Sequence, residues 1–251
     1  MSDQPRTTPP EVIVVDVREP DDTPPPPPGD HLTGTPVRVV DLAARLLDKN
    51  DVQAAANREI FRARGLRVLN LVSSPGAGKT TLLQRTLDAL APEIRCAVLV
   101  GDLETDNDAQ RLRRPGVPVA QITTGGACHL DASMIQRGLD ALSLPDTRLL
   151  FIENVGNLVC PASFDLGENR RVTLLSCTEG EDKPLKYPPI FTSAHVILLT
   201  KIDVAEALGF DRATALQNIR RINPHAEVIE LSSRSGEGME RWLAYLRGMV
   251  A

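Results

Sequence analysis

The stretch at residues 73–81, SSPGAGKTT, has the residue types and spacing that hold a polyphosphate. The phosphate-loop pattern is GxxxxGK[ST]; Ser73 stands at its first position, and Gly78, Lys79 and Thr80 fit the rest. Pro75, Gly76, Ala77 and Gly78 form the turn, whose small residues let backbone N–H groups face phosphate oxygens. Lys79 is placed to reach the β- and γ-phosphates, and the Thr80 hydroxyl to ligate Mg²⁺, with Thr81 completing the loop at the start of a predicted helix. A glycine-rich turn without function is the bland alternative. The strand expected before the loop and the helix expected after it argue for the nucleotide site.

Further along, LLTKID places Thr200, Lys201 and Asp203 in the pattern [NT]KxD, which reads guanine. A carboxylate at Asp203 accepts from both the ring N1–H and the exocyclic amine, a donor pair that adenine lacks. Lys201 lies along the base. Asparagine is commoner than threonine at the first position. LSSRSGEG supplies Ser232, Ser233 and Arg234 as a last loop beside the base. Four letters alone also fit a surface turn, but here they follow a phosphate loop and precede SSRSG in the expected order. Hydrolysis needs Mg²⁺ and a positioned water. Asp102 is the candidate for the magnesium shell or for orienting the water. Glu153, with Gly156 three residues on as in a DxxG γ-phosphate sensor, is the candidate for the second shell of that metal. Glu104, Asp106 and Asp108 also fit a solvated helix start.

TTGGACHLDA sets Cys128 beside His129 in a chain with only four cysteines and four histidines. A helix predicted to start near Cys128 would lower its thiol pKa. Cys160, in ENVGNLVCP, follows Glu153 on a neighbouring strand-end loop. Two thiols and an imidazole suit Ni²⁺ or Zn²⁺ rather than Mg²⁺. The alternative is three unconnected side chains, with cysteine packing as a small hydrophobe.

These groups need a scaffold that brings strand ends together. From Leu66 onward, LRVLNLV, CAVLV, VAQIT, RLLFIENV, VTLLSC, HVILLT and EVIEL read as strands. Helical stretches such as TTLLQRTLDALAP and LDASMIQRGLDAL separate most of them. The alternation predicts an α/β fold with a mostly parallel central sheet flanked by helices, whose ligands bind at the C-terminal strand ends. Residues 37–64 have helical spacing with a break expected near Asn50, forming an N-terminal helical extension (34–65) of a P-loop domain over 34–251. Residues 1–33, with DDTPP and PPPPPGD, read as a disordered Pro-rich tail. The 251 residues, 42% hydrophobic, suffice for one such domain, and a net charge of −5 argues against nonspecific nucleic-acid binding. No secretory signal, membrane span or CxxC pair is expected, which reads as a cytoplasmic protein with reduced thiols.

Taken together, NLVSSPGAGKTTLL, GDLETDNDAQRL, TTGGACHLDASMI, ENVGNLVCPASFDLGE, EGEDKPLKYP and TKID resemble the hydrogenase nickel-incorporation GTPases, the HypB family, over roughly residues 37–250. The resemblance implies a GTPase of the signal-recognition and nitrogenase-iron-protein class that cycles between GTP and GDP with Mg²⁺. It implies a nucleotide-linked homodimer and insertion of nickel into [NiFe] hydrogenase. A second maturation protein of the HypA type and the hydrogenase large subunit are the implied partners. Cys128, His129 and Cys160 match the family's Ni²⁺ or Zn²⁺ site. Some members also carry an N-terminal CxxCGC motif or a histidine-rich tract; His31 is the only such residue in the first 60 here. Urease-type nickel GTPases use a Cys-Pro-His run, whereas here Cys160-Pro161 is followed by Ala162. The other readings are such a urease-type GTPase, a P-loop small-molecule kinase, or a metal-binding protein whose nucleotide site is structural.

Overall fold

A computed structural model describes residues 12–16, 37–102 and 107–251 of the chain. Among the described residues, eight strands run in chain order: β1 (Ile13–Asp16), β2 (Arg67–Ser73), β3 (Cys96–Asp102), β4 (Val119–Thr123), β5 (Leu149–Glu153), β6 (Arg170–Ser176), β7 (Val196–Thr200) and β8 (Glu227–Leu231). They form one sheet in the order β1-β4-β3-β5-β2-β6-β7-β8, and every pair is parallel. All seven expected strands are present. The interior strands are buried along nearly their whole length, as expected of parallel strands covered on both faces.

The helices among the described residues are α1 (Val37–Ala63), α2 (Lys79–Leu90), α3 (Asn107–Leu112), α4 (Ala132–Ala141), α5 (Lys183–Lys186), α6 (Pro188–Thr192), α7 (Arg212–Ile222) and α8 (Met239–Val250). Alternate strand residues sort the core. Leu69, Leu71, Val98, Val100 and Phe151 pack with α2, α3 and α8. Val68, Leu99, Leu150 and Ile152 face the other way, toward Phe61 of α1 and Ile135 and Leu139 of α4. Val72 of β2, Leu175 of β6 and Ile197 of β7 cover Phe191 of α6 and Ile219 of α7. Trp242 of α8 is fully buried, and its indole N–H donates to Thr86 Oγ1 of α2 at 2.9 Å.

Three expectations change. Residues 13–16, placed in the disordered tail, are instead the edge strand β1, which pairs Ile13 with Ala120 and Asp16 with Thr123. The other residues of 1–33 lie outside the described residues. No break occurs at Asn50: α1 is continuous, because the Asn50 amide is used across a gap to other segments and does not compete for its own helix backbone. The helix after β4 starts at Ala132, not near Cys128, with Asp131 as the N-cap accepting from Met134 N at 2.8 Å. No helix among the described residues is long and apolar enough to cross a membrane.

Candidate nucleotide and metal site

β2 delivers the loop at residues 74–78 to the C-terminal edge of the sheet, and α2 starts directly at Lys79. A cleft of about 480 Å³ opens over this loop, walled by Asp102 at the end of β3, Asp108 and Arg111 of α3, and the 153–156 turn after β5. Pro75, Gly76, Gly78, Lys79, Thr80, Thr81, Asp102, Glu153 and Gly156 therefore share one cavity. Glu104 and Asp106 lie outside the described residues, and Asp108 pairs with Arg111 at 3.1 Å. Lys79 Nζ donates to Ser73 Oγ at 3.0 Å, which gives the unusual serine a role. Burial holds the Lys79 pKa below its ordinary value, against the pull of Glu153, Asp108, Glu179 and Asp102.

Thr80 Oγ1 donates to Glu153 Oε1 at 2.7 Å. The other carboxylate oxygen, Oε2, is buried with no hydrogen-bond partner. Burial pushes the Glu153 carboxyl up to about 7, with Lys79 and the Thr80 hydroxyl opposing. A buried acid with one oxygen fixed and one unpartnered beside a phosphate loop fits a hydrated Mg²⁺. Glu179 had no role in the sequence reading, yet it accepts from Ser74 Oγ at 2.5 Å and from Ser176 N at 3.3 Å. It braces the phosphate loop from the end of β6. Its only sequence signal is its place in EGEDKP.

A second cavity, of about 260 Å³, continues from the first along Gly78 and Thr81. Ala77, Thr200, Lys201, Asp203, Ser232, Ser233 and Arg234 line it, so every residue expected at the base is there. The Thr200 hydroxyl donates to Ala77 O at 2.9 Å, tying β7 to the phosphate loop. Lys201 takes the left-handed φ of 61° and donates to Gly76 O at 2.8 Å, which lays its stem across the pocket floor. Ser232 Oγ accepts from the backbone N–H of Arg234 and Ser235, closing the last loop.

The Cys-His pair lies in the loop between β4 and α4. Gly125 and Gly126, both at positive φ, turn the chain there, and Thr124 fixes the turn through Ala127 O at 2.7 Å. Cys160 opens the 3₁₀ turn Cys160–Ser163 after β5. One ligand atom each from Cys128, His129 and Cys160 lies within 4.8 Å of the other two, and all three residues are half-buried. No other such His, Cys or acid group is found among the described residues. The two sulfurs stand 2.7 Å apart, and Cys128 Sγ is 3.8 Å from His129 Nδ1. The pKa lowering expected of a helix start is reversed: the Cys160 thiol beside it, and then burial, raise the Cys128 pKa. Burial lowers that of His129, which favours the neutral, ligating imidazole. The His129 ring packs on Phe164, with centroids 3.9 Å apart.

The two centres share backbone. Residues 153–160 run from the phosphate cleft to Cys160. Along this run Asn154 Oδ1 accepts from Leu130 N and Val155 N, and Asn157 donates to Cys128 O at 3.2 Å. Beneath them, Asn154 donates to Asn70, Asn70 to Glu168, and Arg171 to Glu168. The Arg171 guanidinium also holds the Ala162 and Phe164 carbonyls beside Cys160.

Comparison with known proteins agrees with this geometry. Residues 67–230 match the family model described as CobW/HypB/UreG, nucleotide-binding domain. The chain is 54% identical over 209 residues to the hydrogenase maturation factor HypB of Azotobacter chroococcum, covering 83% of this chain and 68% of the relative. It is 52% identical over 219 residues to HypB of Escherichia coli K12, covering 87% and 76%. The crystal structure of Helicobacter pylori HypB in complex with nickel superposes with a TM-score of 0.77 at 42% identity, covering 80% of this chain and 95% of that one. Archaeoglobus fulgidus HypB superposes with a TM-score of 0.77 at 41% identity, covering 81% and all of its own length (100%). With a phosphate loop, a base pocket and a two-thiol, one-imidazole cluster on one edge of a parallel sheet, the chain belongs to the HypB family of hydrogenase maturation factors.

Proposed function

We propose that this protein is a GTP-hydrolysing metallochaperone that carries nickel to [NiFe] hydrogenase. The observation that carries the reading is the placement of Cys128, His129 and Cys160 within ligand distance on loops that leave the same sheet edge as the phosphate cleft. Lys79 and the loop N–H groups bind the phosphates, and Asp203 selects guanine. Thr80 and Asp102 would hold Mg²⁺, with Glu153 accepting from its hydration shell through the unpartnered Oε2. Magnesium supplies charge neutralisation across the β- and γ-phosphates when bound. Nickel is cargo; the thiols give up protons as they take it, so loading weakens as pH falls. Zinc competes for the same donor set. The nickel complex of the Helicobacter pylori relative supports nickel as the cargo here.

Gly156 at the γ-phosphate and Cys160 on the same run give the nucleotide state a direct mechanical route to the metal site, by ordering or releasing one loop. A homodimer across this edge, a HypA-type partner that exchanges metal, the hydrogenase large subunit as recipient, and a cytoplasmic location complete the reading.

The test is GTP turnover with Mg²⁺, and Ni²⁺ and Zn²⁺ calorimetry, on the wild type, Lys79→Ala and Cys128→Ala. Lys79→Ala should lose about 10²–10³-fold in turnover and keep its fold. Cys128→Ala should lose metal binding and retain GTP binding. Turnover of ATP equal to that of GTP, or metal binding untouched by Cys128→Ala, overturns the proposal.

A further inference from the structure

The cysteine cluster is assembled from two separate loops, and a third element holds both. Asn50 and Asn57 stand seven residues apart on α1, two helical turns, and so face the same side. Both are buried, at 7% and 0% exposure. Asn50 accepts from Ala132 N at 2.9 Å and donates to Asp165 O at 2.9 Å. Asn57 donates to Ala132 O at 2.8 Å and to Leu166 O at 3.1 Å. Each amide therefore bridges the same two segments. One is Ala132, three residues after His129, where the Cys-His loop enters α4. The other is the 165–166 backbone at the end of the segment that starts with Cys160. Gly167 is pressed against α1 so closely that a Cβ there would lie 2.7 Å from Ala54 O.

Asparagine is a poor choice for packing a helix against its neighbours, because each buried amide must find partners for both ends. Here Asn50 uses both ends across the gap, while Asn57 donates twice across it and accepts from Gln53 of its own helix at 3.1 Å. We propose that Asn50 and Asn57 are positioning residues for the metal site, and that α1 sets the separation between the Cys128–His129 half and the Cys160 half. This rests on the cluster being a metal site. Without the bridge, each loop moves on its own glycine pair or 3₁₀ turn, and the three ligands spend less time within reach of one ion. The hydrogen bonds of the two amides go to Ala132, Asp165, Leu166 and Gln53, and none reaches the phosphate loop.

The experiment is Co²⁺ titration of the full chain, followed by visible absorption, with isothermal calorimetry of GDP alongside. Asn50→Ala and Asn57→Ala should each weaken Co²⁺ binding about 10-fold, the cost typical of losing an outer partner of a metal ligand. The thiolate-to-cobalt band should weaken or shift, and GDP affinity should stay at the wild-type value. Asn57→Ser, which keeps a small polar group, provides a second folded variant and should fall in between. Wild-type cobalt affinity and spectrum in both alanine variants overturn the proposal, as does a parallel loss of GDP affinity, which would mean general loosening. Cys128→Ala separates the two readings. If it binds cobalt like the wild type, the metal site itself is wrong and this inference falls with it; if it loses cobalt while the asparagine variants do not, only the inference falls.

Discussion

Asp203 and the four cysteines are where single side chains decide the chemistry. If Asp203 reads guanine as proposed, replacing it by Asn removes the acceptor of the N1–H and amine pair, and GTP affinity should fall about 100-fold, some 2.7 kcal/mol. Xanthosine triphosphate, which presents a carbonyl in place of the amine, should then bind better than GTP; competition binding with both nucleotides reads this directly. The cysteines divide by environment. Burial pushes the Cys96 thiol up to about 12 and the Cys177 thiol up to about 11, while Cys128 and Cys160 are half-exposed. In the native protein, alkylation followed by mass spectrometry should label Cys128 and Cys160 first and leave Cys96 and Cys177 unmodified until unfolding. Prior loading with Ni²⁺ should protect the first pair. Labelling of all four at equal rates would contradict the burial. At this scale the sequence was informative wherever spacing is local: the phosphate loop, TKID and the Cys-His pair each sit within a few residues. Glu179 and Asn154 were missed because their partners, Ser74 and Asn70, lie 105 and 84 residues away in the chain; Arg171 was missed because it holds backbone carbonyls of a nearby loop, which leave no mark in residue type.

The 153–156 turn is sensitive to a small change. A Cβ on Gly156 would stand 3.0 Å from Pro75 Cα and 3.1 Å from Pro75 N, against backbone that cannot swing aside. Gly156→Ala should push the turn off the phosphate loop and slow GTP hydrolysis by roughly 10- to 100-fold with little change in GDP affinity; single-turnover kinetics separates the two. Strands were readable as elements because each is a short apolar run, and a parallel sheet buried on both faces demands such runs. Edge strand β1 escaped notice because four residues within a proline-rich stretch carry no period. The break expected in α1 came from treating Asn50 as a local helix breaker, when its amide serves a neighbouring loop. The helix start expected near Cys128 came from reading Leu130 as the first apolar helical position. Leu130 instead fills the space over Gly101 of β3, and Asp131 provides the cap.

For the molecule as a whole, nucleotide binding and stability are linked. GDP at a hundred times its dissociation constant should add about 2.7 kcal/mol to the folded state and raise the melting temperature by roughly 5 to 10 °C, and ADP at the same concentration should add nothing. Calorimetry or the emission of Trp242, the only tryptophan, records the shift. An equal rise with ADP would remove the guanine pocket from the account. The strand order itself was not legible, since alternating runs specify layers but not which strands are neighbours. That order has a consequence for synthesis. β2 lies between β5 and β6, so the phosphate loop has no finished sheet beneath it until residue 176 has left the ribosome. By then Cys128, His129 and Cys160 have all emerged, while Asp203 and the 232–234 loop have not. Because domains fold from the amino end as they emerge, the growing chain gains its thiols and its phosphate loop before the segments that line the proposed base pocket.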